Sequence, residues 1–536
     1  MASVHDVFAR AALRYAAQEF LHVPCVAGHA GATCPMSLAY GAARERVDHL
    51  RQAYVDAGYR GGHRVAIALD NEPEFFLHFL ALNALSSSIV PLNAAMSREE
   101  IAHLVMHADA AAVITHKIHA PHIRAAVPAL IAVDVVAAGD ASWEPPAPCA
   151  PPSAIAGEAA LLYTSGTTGQ PKGCMLTNTY FLELGALYSS LGGYCAFRPG
   201  LERLVTPLPV THMNALGCSF MVMMMTGGCL VQLDRFHPST WWQALRDARG
   251  TCFHYLGVMP AMLLGAPPSS ADDVSSTVRF GFGAGADPRH QANFERRFGV
   301  PLIEAWAMTE TGAGAWITAN EEPRHVGARC FGRTPPGLDW RIVDEAQRDV
   351  PTGIPGELWV RRCGSEPRRG FFSGYYKDAA ATEAVWQGGW LHTGDVVRVD
   401  AEGSFFFVDR LKNVVRRSGE NIAAVEVESA LLQHPAIQAC AVAPVADEIR
   451  GEEVCALLVL KSAAEPSAKF AQEIQQHCLK LLIYYKAPGY VCFVTHLPQT
   501  ASQKLARGEI RKLAAREVAA ATAIDLRSGK RRPSAS

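Results

Sequence analysis

Short apolar runs alternate with helical patterns over roughly the first 340 residues of this chain, and this alternation constrains the fold more than any other feature. The runs are rich in β-branched and aromatic residues, as strands buried on both faces are. Strands are predicted at 64–69, 110–115, 159–165, 203–209, 229–233, 252–257, 278–285 and 301–308. The intervening helical patterns span 73–85, 98–109, 238–250 and 287–299. Such alternation predicts α/β layers with largely parallel sheets.

After about residue 340 the pattern changes to hairpins with polar turns, in GELWVRR, DVVRVDAEGSFFFVDR and NVVRRSGENI. A compact mixture of helices and strands then predicts a small α+β domain. The chain has 536 residues and is too long for one core. We expect a large N-terminal α/β domain of several subdomains over 1–411 and a small, mobile C-terminal domain over 412–522. The polar, basic end, 523–536, is predicted to be disordered.

The composition of the chain indicates which kinds of binding partner and which cell compartment to expect. The net charge is −2, so no overall field attracts nucleic acid or an anionic membrane. The 14 cysteines are scattered without metal-ligand spacing, which indicates free thiols in a reducing compartment. The N-terminus is typical of an amphipathic helix rather than a signal peptide. The most apolar stretch, 218–233, is too short to span a bilayer. We therefore expect a cytoplasmic protein without a membrane span; its oligomeric state is not readable.

One segment, TSGTTGQPKG at 164–173, is unusually rich in small and hydroxylated residues and carries Lys172. Glycines let backbone N–H groups converge, hydroxyls add donors and lysine adds a point charge, so the segment predicts a phosphate cradle. We call it the phosphate loop. It is not a Walker A loop, because the GxxxxGK[ST] spacing is missing. GFGAGAD at 281–287 does not match the GxGxxG dinucleotide pattern either.

The phosphate loop resembles the signature of the adenylate-forming superfamily, which comprises acyl-CoA synthetases, adenylation domains of peptide synthetases and luciferases. WAMTE at 306–310 is similar to the family's aromatic-G-x-T-E segment. Residues 390–422 resemble its T-G-D and G/D-R-x-K segments, and LPQTASQKLARGEIRK at 497–512 resembles its C-terminal lysine motif. The four motifs stand in family order across most of the chain, so the chain is identified as a member of this superfamily.

The resemblance implies two half-reactions: a carboxylate attacks the α-phosphate of ATP, giving acyl-adenylate and pyrophosphate, and a thiol then displaces AMP. The implied co-substrates are ATP with Mg²⁺ and coenzyme A. Catalysis would be mainly electrostatic stabilisation and alignment. Thr309 would bind the α-phosphate and Glu310 would hold Mg²⁺. The β- and γ-phosphates would be held by Thr164, Ser165, Gly166, Thr167, Thr168, Gly169 and Lys172.

The resemblance also implies an adenosine site. Trp306 stands where the family usually has tyrosine, and its ring would stack on adenine; Ala307 replaces a usual glycine. Asp395 would accept hydrogen bonds from the ribose hydroxyls with help from Arg410. The purine would approach the backbone of Gly283, Ala284 and Gly285.

The C-terminal domain is implied to rotate between the half-reactions. Lys504 would bridge the substrate carboxylate and nucleotide oxygens in the adenylation step, although Gln503 replaces the usual preceding glycine. Lys412 occupies the hinge, where Asn413 replaces a frequent Asp. The opposite face of the domain, including Gly419, would admit the thiol.

The acyl pocket is expected to be built from 212–220, 281–285 and 305–312, with His212 as a gate; a core histidine is an alternative reading of His212. Its wall would be apolar and adaptable. The candidate wall residues are Met213, Met223, Met224, Met225, Phe282 and Met308.

Within the superfamily, the sequence favours the interpretation that the protein is a stand-alone acyl-CoA ligase. No acidic residue is placed to oppose a substrate amino group, and no carrier attachment motif is present. RRSGENIAAVEVE at 416–428 is similar to the carnitine/crotonobetaine-CoA ligase branch and its short- to medium-chain relatives. A quaternary ammonium substrate would require an aromatic cage, which the sequence does not locate.

Besides a luciferase-like oxygenation within the superfamily, three alternatives stay open from the sequence. One is an adenylating enzyme whose acceptor is a carrier protein. The second is a catalytically weak nucleotide or acyl-adenylate binding protein, suggested by Gln503 and Ala307. The third is an ATPase or kinase, which would release ADP rather than AMP.

Overall fold

The computed structural model describes residues 2–24, 36–129, 131–136, 155–164, 171–268, 276–417, 420–461, 465–499 and 505–530. Over these ranges the chain forms fourteen α-helices and three β-sheets. The helices are α1 (Val4–Arg14), α2 (Tyr40–Asp56), α3 (Pro73–Ala84), α4 (Arg98–His107), α5 (Ala120–Ala126), α6 (Asn178–Ser189), α7 (Phe220–Thr226), α8 (Trp241–Asp247), α9 (Val258–Leu264), α10 (Pro288–Phe298), α11 (Ala379–Val385), α12 (Ala424–Leu431), α13 (Ala468–Leu481) and α14 (Arg507–Ala519). None of these helices is long and apolar enough to cross a membrane.

The strands alternate with the helices through the first two thirds of the chain. They are β1 (Glu19–Val23), β2 (Met36–Ala39), β3 (Arg64–Ala68), β4 (Ser88–Pro91), β5 (Ala110–His116), β6 (Ala132–Val136), β7 (Glu158–Thr164), β8 (Lys172–Thr177), β9 (Arg203–Thr206), β10 (Cys229–Gln232), β11 (Cys252–Leu256), β12 (Phe280–Ala284), β13 (Leu302–Trp306), β14 (Ile317–Thr318), β15 (Cys330–Arg333), β16 (Leu338–Val343), β17 (Gly356–Arg362), β18 (Leu391–Val399), β19 (Ser404–Arg410), β20 (Val414–Arg417), β21 (Glu420–Ala423), β22 (Ile437–Asp447), β23 (Gly451–Leu460), β24 (Tyr490–Phe493) and β25 (Ile524–Asp525).

The first sheet has thirteen strands in the order β16-β17-β18-β19-β15-β14-β13-β12-β11-β9-β10-β1-β2. Its middle, from β10 to β13, is parallel, and from β13 onward through β14 to β16 it is antiparallel. The parallel strands end on one edge, where open α/β sheets bind their ligands. The change from parallel to antiparallel pairing therefore occurs at β13, which carries Trp306 at its last position.

The second sheet has six strands in the order β6-β5-β3-β4-β7-β8, all parallel except the edge strand β8. Helix α3 is almost entirely buried and lies between the two sheets, since it contacts β1 of the first and β4 of the second. A helix that is apolar on nearly all sides belongs in such an interior layer. The layered α/β fold expected from the sequence is thus confirmed.

The third sheet lies in the C-terminal part, in the order β21-β20-β23-β24-β25, with β22 paired to β23. Helices α12 and α13 cover one apolar cluster and α14 covers another. This is the small α+β unit that the sequence predicts; the boundary at 411/412 stays a prediction.

The predicted disorder of 523–536 is wrong for its first part. Strand β25 pairs with β24, Leu526 is buried, and the ammonium of Lys530 is buried against Glu453. These residues are ordered in spite of their polar composition, because Lys530 pairs with the buried Glu453 carboxylate and Leu526 packs into an apolar cluster. Residues 531–536 lie outside the described residues.

Candidate active site

The ends of the phosphate loop are fixed by strand pairing. Thr164 ends β7 and Lys172 begins the antiparallel strand β8, and these two residues are direct register partners. The Lys172 ammonium lies 4.9 Å from the centroid of the Tyr375 ring. The predicted phosphate contacts Ser165, Gly166, Thr167, Thr168 and Gly169 lie outside the described residues.

Thr309 and Glu310 lie in the turn after β13, and two hydrogen bonds hold this turn. The Tyr180 hydroxyl donates to the carbonyl oxygen of Thr309 at 2.7 Å, and the Met308 N–H donates to Oγ1 of Thr311 at 2.8 Å. The turn thus places the side chain that the resemblance assigns to the α-phosphate next to the one that it assigns to Mg²⁺.

Glu310 is buried, and its Oε1 accepts a hydrogen bond of 2.8 Å from the Tyr375 hydroxyl. Its own carbonyl oxygen accepts from the Phe372 N–H at 3.0 Å. Burial and the Glu310 charge raise the pKa of Tyr375, so this hydroxyl stays a donor. Tyr375 therefore joins the predicted phosphate lysine and the predicted metal carboxylate, a role that sequence reasoning missed.

A single carboxylate is a suitable protein ligand for Mg²⁺ that arrives with a nucleotide, since this ion is usually held by one or two carboxylates together with phosphate oxygens. Glu310 offers such a carboxylate with one oxygen already oriented by Tyr375. Within the described ranges, no cluster of three or more His, Cys, Asp or Glu residues forms a metal site. The donor set at Glu310 fits a metal shared with substrate phosphates.

Asp395 lies on β18, and its register partner is Arg410 of the neighbouring strand β19. Its side chain also contacts Trp306, the last residue of β13. The Trp306 indole N–H donates to Oδ2 of Asp395 at 2.8 Å, and Nε of Arg410 lies 2.7 Å from Oδ1. Burial raises the pKa of Asp395, while the Arg410 charge and the Trp306 hydrogen bond act in the opposite direction. Trp306 and Arg410, two of the residues that the resemblance assigns to adenosine, therefore both contact a third, Asp395.

The predicted purine segment, Gly283–Gly285, spans the end of β12, and the Glu304 side chain holds the residues just after the strand. Oε2 of this buried carboxylate accepts from the Gly285 N–H at 2.8 Å, and Oε1 accepts from Ala286 N–H at 3.1 Å and from the Tyr255 hydroxyl at 2.6 Å. A Cβ on Gly283 would lie 2.3 Å from the carbonyl oxygen of Tyr255, so only glycine fits there.

Glu304 was not among the predicted site residues. The one available signal was an acidic residue in an otherwise apolar strand, two positions before Trp306. Burial raises the pKa of Glu304, and its donors act to lower that pKa. The carboxylate is thus committed to shaping the turn that carries Ala284 and Gly285.

His212 is exposed, at the start of the segment that leads into a π-helix at Asn214–Ser219. Met223 and Met224 are fully buried in the main core, so core packing accounts for these two predicted wall residues. Met213, Met225 and Met308 pack partly buried against that same core.

A polar cluster lies behind the predicted acyl wall. His254 is buried, with Nε2 2.7 Å from the Tyr188 hydroxyl and Nδ1 2.5 Å from Oδ1 of Asn214 and 2.7 Å from Oγ of Ser219. Burial lowers the pKa of His254 to about 3, so the ring stays neutral, donating to Asn214 and accepting from Tyr188. The Phe282 ring lies 5.4 Å from it. This part of the predicted wall is therefore backed by polar groups and is not purely apolar.

Asp409 organises the predicted hinge. Its Oδ1 accepts from the Arg410 N–H at 2.7 Å and from the Asn413 amide at 3.2 Å, and its Oδ2 accepts from the Val425 N–H at 3.1 Å. One carboxylate therefore contacts groups on both sides of Lys412, which lies in the short Leu411–Asn413 turn.

Two predicted residues of the C-terminal part, Lys504 and Gly419, lie outside the described residues. The segment directly after Lys504 is ordered: Leu505 forms a bridge with Gln499, and Arg507 forms an ion pair of 2.8 Å with Glu428. The bridge thus joins the residues on either side of the undescribed segment to each other, and the ion pair joins the start of α14 to α12.

Comparison with protein families gives two matches. The AMP-binding enzyme family matches residues 14–376, and the AMP-binding enzyme C-terminal domain matches residues 426–504.

Comparison with individual proteins agrees with these matches. A crotonobetaine/carnitine–CoA ligase of Escherichia coli O157:H7 (strain EC4115 / EHEC) is 29% identical over 485 residues, covering 87% of this chain and 92% of the relative. The anthranilate CoA ligase AuaEII in complex with anthranoyl-AMP aligns with a TM-score of 0.80 at 23% identity, covering 97% and 98% of the two chains. ATP-bound MatB from Rhodopseudomonas palustris aligns with a TM-score of 0.77 at 22% identity, covering 96% and 99%. The two structures show that the fold is shared along almost the whole chain.

Proposed function

Because this chain belongs to the AMP-binding enzyme family, we propose that it is an AMP-forming acid–thiol ligase, which activates a carboxylic acid with ATP and transfers the acyl group to coenzyme A. In the first step a carboxylate oxygen of the acid bonds to the α-phosphorus and pyrophosphate leaves. In the second step the thiol sulfur bonds to the acyl carbon and AMP leaves, while the thiol proton passes to solvent.

The observation that carries this proposal is the linked set of Trp306, Asp395 and Arg410 beside the turn that holds Glu310. The Trp306 indole and the Arg410 guanidinium both contact the buried Asp395 carboxylate. These three side chains would form a binding site for an aromatic base joined to a diol. The adjacent buried Glu310 and the Lys172 ammonium suit a phosphate chain. Together these groups would serve the base, the ribose, the metal and the phosphates of ATP.

The main obstacle in the adenylation step is the approach of a carboxylate to a polyphosphate. Lys172 would lower the charge on the departing pyrophosphate, and Thr309 would donate to the α-phosphate. Mg²⁺ bound with ATP would supply further charge neutralisation, and Glu310 is the residue that would hold it. Lys504 would bridge the two reacting anions and so align them for attack.

The acid itself is proposed more broadly. The relatives that match along most of the chain are named crotonobetaine/carnitine–CoA ligases, so betaine-type acids are the first to test. Short- and medium-chain fatty acids and aryl acids complete the panel. The His254 cluster behind the predicted wall supports an acid with a compact or polar body over a long alkyl chain.

The test is to incubate the protein with ATP, Mg²⁺, coenzyme A and each acid, and to measure pyrophosphate, AMP and acyl-CoA. Acid-dependent AMP with an equal amount of acyl-CoA is the expected result. Pyrophosphate without acyl-CoA would point to another acceptor, such as a carrier protein. ATP binding without pyrophosphate from any acid would favour a nucleotide-binding protein, and ADP as product would overturn the proposal. Asp395→Ala is the matched inactive control.

A further inference from the structure

We propose that Tyr375 is a positioning residue for adenylation, which orients the Glu310 carboxylate with its hydroxyl and places the Lys172 ammonium against its ring. This inference rests on the proposed function, because it gives the two charged groups a common nucleotide ligand. It adds a residue that lies outside the four sequence motifs.

The first contact is a hydrogen bond in a dry environment. The Tyr375 hydroxyl donates to Oε1 of Glu310 at 2.8 Å, and the two residues are 9% and 7% exposed. Water therefore competes little for this carboxylate oxygen, and the hydrogen bond sets the direction in which the other oxygen points. A carboxylate oriented in this way is prepared to bind a cation without first losing rotational freedom.

The second contact is between a cation and an aromatic face. The Lys172 ammonium lies 4.9 Å from the Tyr375 ring centroid, within the range of a favourable cation–π interaction. In the described part of the chain, Lys172 and Glu310 form no ion pair with each other. Tyr375 thus contacts the carboxylate through its hydroxyl and the ammonium through its ring, while the two charged groups are not paired with each other.

Tyr375 is itself held from three sides, so it can direct its neighbours. Its N–H donates to Oγ1 of Thr382 at 2.8 Å, its backbone bridges to Cys174 on β8, and its ring meets that of Phe372 at 4.8 Å. The bridge to Cys174 matters most, because Cys174 follows Lys172 by two residues on the same strand. The tyrosine and the lysine are therefore fixed to each other through the backbone.

The experiment compares Tyr375→Phe with the wild-type protein by isothermal titration calorimetry of ATP, with Mg²⁺ and with EDTA. The phenylalanine keeps the ring, and with it the Lys172 contact, but loses the hydroxyl. We expect ATP affinity in Mg²⁺ to fall about tenfold, the size of one hydrogen bond to a charged group, and ATP affinity in EDTA to change less than about twofold. Equal affinities in Mg²⁺, or equal losses in both conditions, would overturn the proposal.

Tyr376→Phe is the matched control. It removes the neighbouring hydroxyl, which donates to Asp109 on the surface, and is expected to leave both affinities unchanged. A double-mutant cycle with Glu310→Gln separates positioning from general damage: Tyr375→Phe should add almost nothing once the carboxylate is absent. Additive losses would mean that Tyr375 acts only through packing and would contradict the proposal.

A kinetic measurement distinguishes failure of this inference from failure of the proposed function. With an acid that the wild-type protein activates, Tyr375→Phe should slow pyrophosphate release but form thioester from supplied acyl-adenylate at the wild-type rate. If the wild-type protein activates no acid, the proposed function fails, while the Mg²⁺-dependent ATP affinities still decide the role of Tyr375.

Discussion

The indole N–H of Trp306 and Oδ2 of Asp395 are joined by a 2.8 Å hydrogen bond inside the first sheet. Trp306 ends β13 and Asp395 lies on β18, with β14, β15 and β19 between them in the sheet order. The ring predicted to meet adenine and the carboxylate predicted to meet ribose are consequently parts of one rigid unit. Tyrosine, the usual residue of the family at this position, has no donor at the place of the indole nitrogen.

Trp306→Phe should weaken this unit without emptying the adenine site. Loss of the hydrogen bond leaves a buried carboxylate with one fewer donor, so kcat/KM for ATP should fall by about tenfold to a hundredfold. The measurement is ATP–pyrophosphate exchange with a saturating acid. Trp340→Phe, at a partly exposed position of β16, is the control, and an equal effect of the two changes would contradict the assignment.

If Asp395 binds ribose as proposed, ATP use should depend on pH in a defined direction. Burial raises the pKa of Asp395, and only its ionised form would accept hydrogen bonds from both ribose hydroxyls. Activity should therefore decline toward acid pH, at a pH above the ordinary aspartate range. Arg410→Leu removes a charge that lowers this pKa, so the acid limb of kcat/KM for ATP should move to higher pH. A limb that stays in place would show that another group controls it.

Lys504→Ala should separate the half-reactions. Acyl-adenylate formation should be abolished, because no other cation is assigned to bridge the two anions, while thioester formation from supplied adenylate is largely spared. Pyrophosphate release and acyl-CoA are measured separately. Lys512→Ala, on the exposed face of α14, is the control. An equal loss of both steps would refute the assignment.

Lys412→Pro should have the opposite effect. Proline restricts the backbone of the Leu411–Asn413 turn, beside the Asp409 carboxylate that contacts both sides of it. The protein should still release pyrophosphate but fail to form thioester, if rotation at this point joins the half-reactions. The same two assays apply, with Lys412→Ala as control. Normal overall turnover of the proline variant would exclude a hinge at this position.

Lys530 should make stability rise with pH. Burial lowers its pKa to about 8, below the ordinary lysine value of 10.5, in spite of Glu453. Between these values the unfolded chain binds one proton more than the folded chain, so the free energy of unfolding rises by up to about 1.4 kcal/mol per pH unit. Lys530→Met should lose this rise, since Glu453 keeps its 2.8 Å ion pair with Arg417. Urea unfolding of both proteins on either side of this range checks it, and parallel curves would contradict it.

The eight strands predicted in the first 340 residues are all present, because each is a local apolar run whose burial on both faces leaves a clear pattern. Strand β1 (Glu19–Val23) was not among the predicted strands. Helix α2 was not predicted, because many of its residues are polar and only a few of its positions are apolar. Local patterns therefore recover the layers but not every element that covers them.

The residues of the candidate site also divide into those that a local motif predicts and those that it does not. Trp306, Asp395 and Arg410 were predicted through motifs, and the structure places them in contact. Tyr375 and Glu304 were not, because their importance comes from partners distant in sequence: Tyr375 is 65 residues from Glu310. A tyrosine beside a second tyrosine gives no local sign that only one of them reaches a buried carboxylate.

The direct pairing of Thr164 with Lys172 has a consequence for how this chain can vary. Side chains alternate between the two faces of a strand, so shifting β8 by one residue would move Lys172 away from Tyr375 and bring its neighbour Gly173 into that place. The place of Lys172 beside Tyr375 therefore depends on the register between β7 and β8 as well as on the residue type at position 172.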